Sequence, residues 1–106
     1  MNLLEETLTK LEMNGKSEKD VKWVGDIKSG YINSHIRSFS GVKTWSEFKK
    51  IAKNIDYDNG YGGVEISENL VVVGDNWWLE RHEYDGSEWW EFKTLPKKEN
   101  YLKETK

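Results

Sequence analysis

The chain reads as an α+β protein: an antiparallel β-meander of three to four strands, an amphipathic helix packed on one face of it, and a helix at the N-terminus. Three observations predict this class. Residues 44–55 repeat apolar side chains at helical spacing behind a capping signal. Residues 64–95 form short β-branched and aromatic runs separated by Gly, Asn and Asp. Two of those runs flank Asp85-Gly86, a preferred centre for a tight hairpin turn because both residues tolerate positive φ. At 106 residues, one domain (1–106) is expected, large enough to hide roughly two-thirds of its unfolded surface.

Residues 1–15 hold the N-terminal helix, read over 2–13. Leu4, Leu8 and Leu11 recur at helical spacing, Glu5 and Glu6 favour the positive end of the helix dipole, and Asn14-Gly15 supplies a stop. Val21–Gly25 is short and β-branched around Trp23 and predicts a strand, and Ser29-Gly30 predicts a turn. Residues 31–39 show no clear period. In T-W-S-E, Thr44 and Glu47 form a capping box; Trp45, Phe48, Ile51, Ala52 and Ile55 then fall on one face, with Lys49, Lys50 and Lys53 largely on the other.

Gly60 to Gly63 breaks the helical pattern, Val64–Ile66 predicts a short strand, and Ser67-Glu68-Asn69 a turn. Leu70–Val73 is apolar at every position, which predicts a strand covered on both sides. Residues 77–84 and 88–94 predict the hairpin arms; Pro96 ends the sheet, and 96–106 is a basic, polar tail.

The hairpin sequence NWWLERHEYDGSEWWEF, residues 76–92, holds four of the six tryptophans in two doublets. Successive strand residues face opposite ways, so each doublet sends one ring to each side. With a two-residue loop, one face receives Trp77 with Thr94, Leu79 with Phe92, Arg81 with Trp90, and Glu83 with Glu88. That is the expected core side, with Arg81 stacked over Trp90 near its rim. The other face receives Trp78 with Lys93, Glu80 with Glu91, His82 with Trp89, and Tyr84 with Ser87. It is covered either by the N-terminal helix, in a three-layer sandwich, or by an external partner, since an exposed patch of aromatic rings marks a binding surface.

Charge divides the chain. Residues 21–55 sum to +5 and residues 56–95 to −8 within a net charge of −3. Either the halves neutralise each other in the fold or one serves a charged partner. There is no cysteine, so disulfides and thiolate metal sites are excluded. No apolar run approaches the ~20 residues that span a bilayer, and the acidic start does not resemble a signal peptide. A cytoplasmic protein without membrane attachment is expected.

The chemistry-bearing patterns are weak. From Asp56, the EF-hand glycine arrives one residue early and position twelve is Ser67, so no calcium site is expected. Gly60-Tyr61-Gly62-Gly63 lacks the Lys-Ser/Thr and the helix of a phosphate loop. His82 near Glu80 suggests an acid–base pair, and Glu80 opposite Glu91 would raise one carboxylate pKa. No nucleophile accompanies them, and neither an enzyme nor a cofactor is expected. Base stacking needs a positively charged groove, whereas the aromatic segment is acidic, which argues against direct nucleic-acid binding.

Around VVVGDNWWLERHEYDGSEWWEFKTLP the sequence resembles small proteins of Firmicutes and their prophages that carry no known activity. The resemblance covers about the last half of the chain and transfers no function. The expected function is a non-enzymatic, protein-binding module, an accessory or inhibitory protein of a mobile element, engaging a protein partner or its own copy. Trp78, Trp89, Tyr84 and His82 are the candidate anchors, with Glu80 and Glu91 setting charge specificity. Two alternatives share these residues: a carbohydrate-binding module with stacked Trp and Tyr, and an acidic inhibitor that imitates nucleic-acid charge.

Overall fold

In the computed structural model, residues 1–27, 36–60 and 63–98 are described; the Ser29-Gly30 turn, the centre of the Gly60–Gly63 break and the end of the tail lie outside them. The elements run α1 (Leu3–Met13), β1 (Trp23–Asp26), β2 (Gly41–Lys43), α2 (Trp45–Ala52), β3 (Val71–Val73), β4 (Trp77–Tyr84) and β5 (Ser87–Thr94). The fold is α+β. The sheet has five antiparallel strands in the order β2-β1-β3-β4-β5, one or two more than the meander expected.

The difference arises in the first half of the chain. β1 inserts between β2 and β3, pairing Val24 with Lys43 on one side and with Val72 on the other. β2 has only three residues and no clear period of its own, so it declares itself only by pairing. Val64–Ile66 is not a strand: Ile66 makes a single parallel bridge to Arg37, and side chains supply the rest of the hold on the segment. Glu88 accepts from the backbone N–H of Glu65 at 2.7 Å and of Ile66 at 3.2 Å. Asp26 accepts from Phe39 N–H at 2.8 Å and from Ser67 Oγ at 2.8 Å, tying the two loops to the end of β1.

Both helices are capped as their sequences require. Asn2 accepts from Glu5 N–H at 3.1 Å to start α1, and Thr44 and Glu47 form the reciprocal capping box of α2. The buried stripe of α1 is Leu3, Thr7 and Leu11, with Leu4 and Leu8 half-buried, so the stripe is rotated by about one position from the leucine pattern. Thr7 is buried because its hydroxyl has two partners: it donates to Leu3 C=O at 2.7 Å and accepts from Trp90 Nε1 at 2.9 Å. α2 ends at Ala52; it buries Phe48 and Ala52, leaves Ile51 exposed, and presents Lys49 and Lys50 to solvent, with Lys53 exposed just beyond its end.

One core collects these surfaces. Leu3 and Leu11 of α1 and Phe48 and Ala52 of α2 join Val24, Val72, Leu79 and Trp90 of the sheet. These strand residues all stand on the face that carries Trp77, since Val24 pairs with Val72 and Val72 with Leu79. Both helices therefore cover the same side, which rules out the three-layer arrangement with α1 on the other face. The valine run is corrected for the same reason: Val72 is buried, while Val71 and Val73 point to the opposite face and are half-buried. An unbroken apolar run here marks a strand with a partly exposed face, not one covered on both sides.

Candidate functional site

The hairpin adopts the register that the Asp-Gly turn dictates, from Tyr84 opposite Ser87 to Trp77 opposite Thr94. Asp85 and Gly86 both have positive φ, 51° and 86°, as a two-residue primed turn requires. Each tryptophan doublet is thereby split: Trp77 and Trp90 are buried at 3% and 2% exposure, while Trp78 and Trp89 stand half-buried on the other face.

That outer face extends beyond the hairpin. Across the strands, Trp23, Val73, Trp78 and Lys93 form one row, and Val42, Gly25, Val71, Glu80 and Glu91 form the next. Directly opposed side chains lie about 5 Å apart, so the rows are continuous surfaces. The Trp23 indole lies over Gly25, where an added Cβ would sit 2.6 Å from the ring; the glycine lets a large ring lie flat along the sheet. One end of the face is thus aromatic and aliphatic, through Trp23, Val42, Val71, Val73 and Trp78. Trp23 and Val42 remain exposed at 39% and 76%.

The hairpin end of the face is polar and ordered. Trp78 Nε1 donates to Glu80 at 2.6 Å, and His82 Nε2 lies 2.6 Å from the other oxygen of Glu80. Trp89 Nε1 donates to Glu91 at 3.0 Å, and Lys93 Nζ lies 3.3 Å from Glu91. The two strands therefore carry the same device, Trp78-x-Glu80-x-His82 and Trp89-x-Glu91-x-Lys93, related by the local two-fold of the hairpin. Each carboxylate is flanked along its own strand by an indole donor and a nitrogen base. The spacing Trp-x-Glu-x-His/Lys, repeated on facing strands, is the sequence signal that would have revealed this.

The arrangement corrects the expectation that opposed carboxylates raise one pKa. The indole of Trp78 and the imidazole of His82 hold Glu80 below the usual carboxylate range, and the indole of Trp89 and the ammonium of Lys93 do the same for Glu91. Both are ionised at neutral pH, so neither is a candidate general acid. Glu18 is lowered by Lys49 and Trp45, and Glu47 by its cap to Thr44. A carboxylate with a depressed folded pKa stabilises fully above its unfolded value of 4.5, and that stabilisation is lost as pH falls through the folded pKa. The melting temperature is therefore expected to be flat from pH 7 to about 5 and to fall below about 4.5. A W78F/W89F variant, which lacks both indole donors, should lose less over the acid interval when melts are followed by circular dichroism.

Of the predicted anchors, Trp78, Trp89, His82, Glu80 and Glu91 are brought together. Tyr84 follows His82 on the same face at the hairpin tip, 76% exposed. Trp23, Val42, Val71 and Val73 belong to the same face and were not foreseen, because their placement depends on pairing between distant segments.

A second polar cluster lies inside the core. Arg81, expected near a rim, has a side chain only 2% exposed. It donates to Glu88 at 2.9 Å, to the Tyr57 hydroxyl at 2.9 Å and to Glu6 at 3.3 Å, and its guanidinium stacks 4.8 Å from the Trp90 ring centroid. Tyr57 in turn donates to Glu6. Burial and the Glu6 carboxylate push the Tyr57 phenol up, so it stays a protonated donor. Burial alone would lower Arg81, and Glu6 and Tyr57 outweigh it. One guanidinium serves both carboxylates, so this cluster cross-links α1, the hairpin and Tyr57.

Asp56 accepts from Asn2 Nδ2 at 3.0 Å, far away in the chain, and Asp58 from Gly60 N–H at 2.9 Å. No group of three or more metal-ligating side chains occurs among the described residues, and no described helix is long and apolar enough to cross a membrane. No protein-family model, curated protein or solved structure matches the chain.

Proposed function

We propose that the chain is a non-enzymatic protein-binding module that docks a partner on the outer face of its sheet. The observation that carries this reading is that both helices pack on one side, leaving Trp23, Val42, Val73, Trp78 and Trp89 at least partly exposed on the other. Aromatic residues surrounded by charged ones form the usual centre and rim of a protein interface. The apolar end of the face suits aliphatic side chains of a partner. The ionised Glu80 and Glu91 beside it favour a partner with an Arg or Lys at that position, which would displace Lys93 from Glu91 and gain a charge-assisted hydrogen bond. A charge mimic of nucleic acid would present unpaired carboxylates, whereas these two are engaged by donors on the same strands. As an accessory protein of a mobile element, such a module acts by occupying a surface, and no bond-making chemistry is required of it.

The test is the W78A/W89A variant, compared with wild type in capture of binding proteins from host lysate and then in titration of the purified partner. The expected result is an unchanged far-ultraviolet spectrum with affinity reduced at least about tenfold per anchor. Unaltered partner affinity would reject the face as the binding surface. Binding to a glycan panel, abolished by the same substitutions, would reject the protein partner in favour of a sugar.

A further inference from the structure

The two edges of the sheet differ. β2 is three residues long, whereas β5 has eight, with no proline or bulge before Pro96. Ser87 and Tyr84 close the turn as a hydrogen-bonded pair, so Ser87, Trp89, Glu91 and Lys93 direct their backbone groups to β4. The N–H of Leu95 donating to Asn76 C=O continues that alternation. Glu88, Trp90, Phe92 and Thr94 then direct theirs away from the sheet. Glu88 N–H is taken by Asn59 C=O at 2.9 Å. Among the described residues, the ladder groups of Trp90, Phe92 and Thr94 have no backbone partner. A long bare edge is a template for another strand.

We propose that this edge pairs with β5 of a second copy, antiparallel and centred on Phe92, making a ten-stranded sheet. The proposal concerns the backbone edge of β5, shares the flanking side chains of Trp89, Glu91 and Lys93 with the docking face, and stands on self-complementarity. Only even-numbered residues offer outward backbone groups, so the two-fold must fall on a residue between 90 and 93. Centred on Glu91 or on Lys93, the pair sets like charges opposite each other. Centred on Trp90, it needs the Glu88 amide that Asn59 already holds. Centred on Phe92, it sets Glu91 opposite Lys93 of the partner subunit, and Lys93 opposite the partner's Glu91. The same register sets Leu95, 52% exposed, opposite the partner's Trp89 at both ends. Opposite charges and apolar residues facing across antiparallel strands stabilise the pair.

The inner side of the edge fits the same occupant. A groove of about 390 Å³ runs between α1 and β5, lined by Met1, Met13, Trp89 and Trp90, with Glu5 and Lys10 beside them. Met1 and Met13 are 56% and 72% exposed. Two-fold pairing brings a second α1 alongside the first and covers these methionines.

Sedimentation velocity on the full chain, from micromolar to several hundred micromolar, should show a mass rising from 12.5 kDa toward twice that value. The single substitutions Glu91→Lys and Lys93→Glu place like charges opposite each other twice and should weaken the dimer about tenfold. The double exchange E91K/K93E should restore it. Amide exchange on the unmodified protein gives an independent readout: Trp90 and Phe92 N–H should gain protection with concentration, while Glu83 at the hairpin tip should not. A chain that stays monomeric throughout, a dimer indifferent to the single exchanges, or a dimer without protection at Phe92 would each overturn the proposal. So would pairing of this edge only with an added peptide.

Discussion

Arg81→Ala is expected to cost about 3–5 kcal/mol, because it strips the cation from two buried carboxylates. The side chains of Arg81 and Glu88 are each 2% exposed and that of Glu6 11%, so water cannot solvate the remaining charges without opening the core. In a domain of this size, whose total stability is expected at roughly 5–15 kcal/mol, that is a large fraction, and the melting temperature should fall by on the order of 20 °C. Replacing a buried ion pair by apolar residues is often neutral, but R81M/E88L should not be neutral here. Glu88 also accepts the Glu65 and Ile66 N–H groups, and leucine leaves both unpaired. Each orphaned buried donor costs about 1–3 kcal/mol. The double variant also leaves Glu6 without its cation, and urea denaturation of R81A, E88A and R81M/E88L checks the sum: a double variant as stable as wild type would show that neither loss matters.

This cluster also marks the limit of what the sequence discloses. The hairpin was legible in full, because Asp85-Gly86 fixes the register and alternation assigns the faces, and the contact of Arg81 with Trp90 followed from that register. The depth of Arg81 did not follow, since it depends on Glu6 and Tyr57, which are distant in the chain and arrive through α1 and the segment after α2. The same holds for the outer face. Trp78 and Trp89 could be placed by counting from the turn, but Trp23 joins them only because β1 lies beside β3, and nothing local in either strand encodes that neighbour. The valine run misled for a physical reason: a strand whose outer side is lined by Trp23 and Trp78 can keep Val71 and Val73 there, so apolar character does not report burial by a helix. The leucine stripe of α1 misled because Thr7, held between Leu3 and Trp90, is a buried polar residue that hydrophobic periodicity counts as exposed.

The alternation itself predicts opposite outcomes for one substitution at adjacent positions. Trp90→Ala should cost about 3–5 kcal/mol, the range for deleting a large buried ring from a core. Its indole is 2% exposed, packs within the cluster formed by both helices, donates to Thr7 and lies under Arg81. Removing it opens a cavity, leaves Thr7 without its donor and takes away the ring on which the buried guanidinium rests. Trp89→Ala removes a ring of the same size from the outer face, where its indole donates to Glu91, itself still paired with Lys93. That loss should be about 1 kcal/mol or less, because a half-exposed ring forfeits only part of its burial. Denaturation midpoints of the two variants, with unchanged slopes, measure the contrast. Equal losses at both positions would mean that the outer face is covered within the folded chain, and the proposed docking surface would go with it. A large loss at Trp90 alone places one ring of the doublet in the core and leaves its neighbour available to a partner.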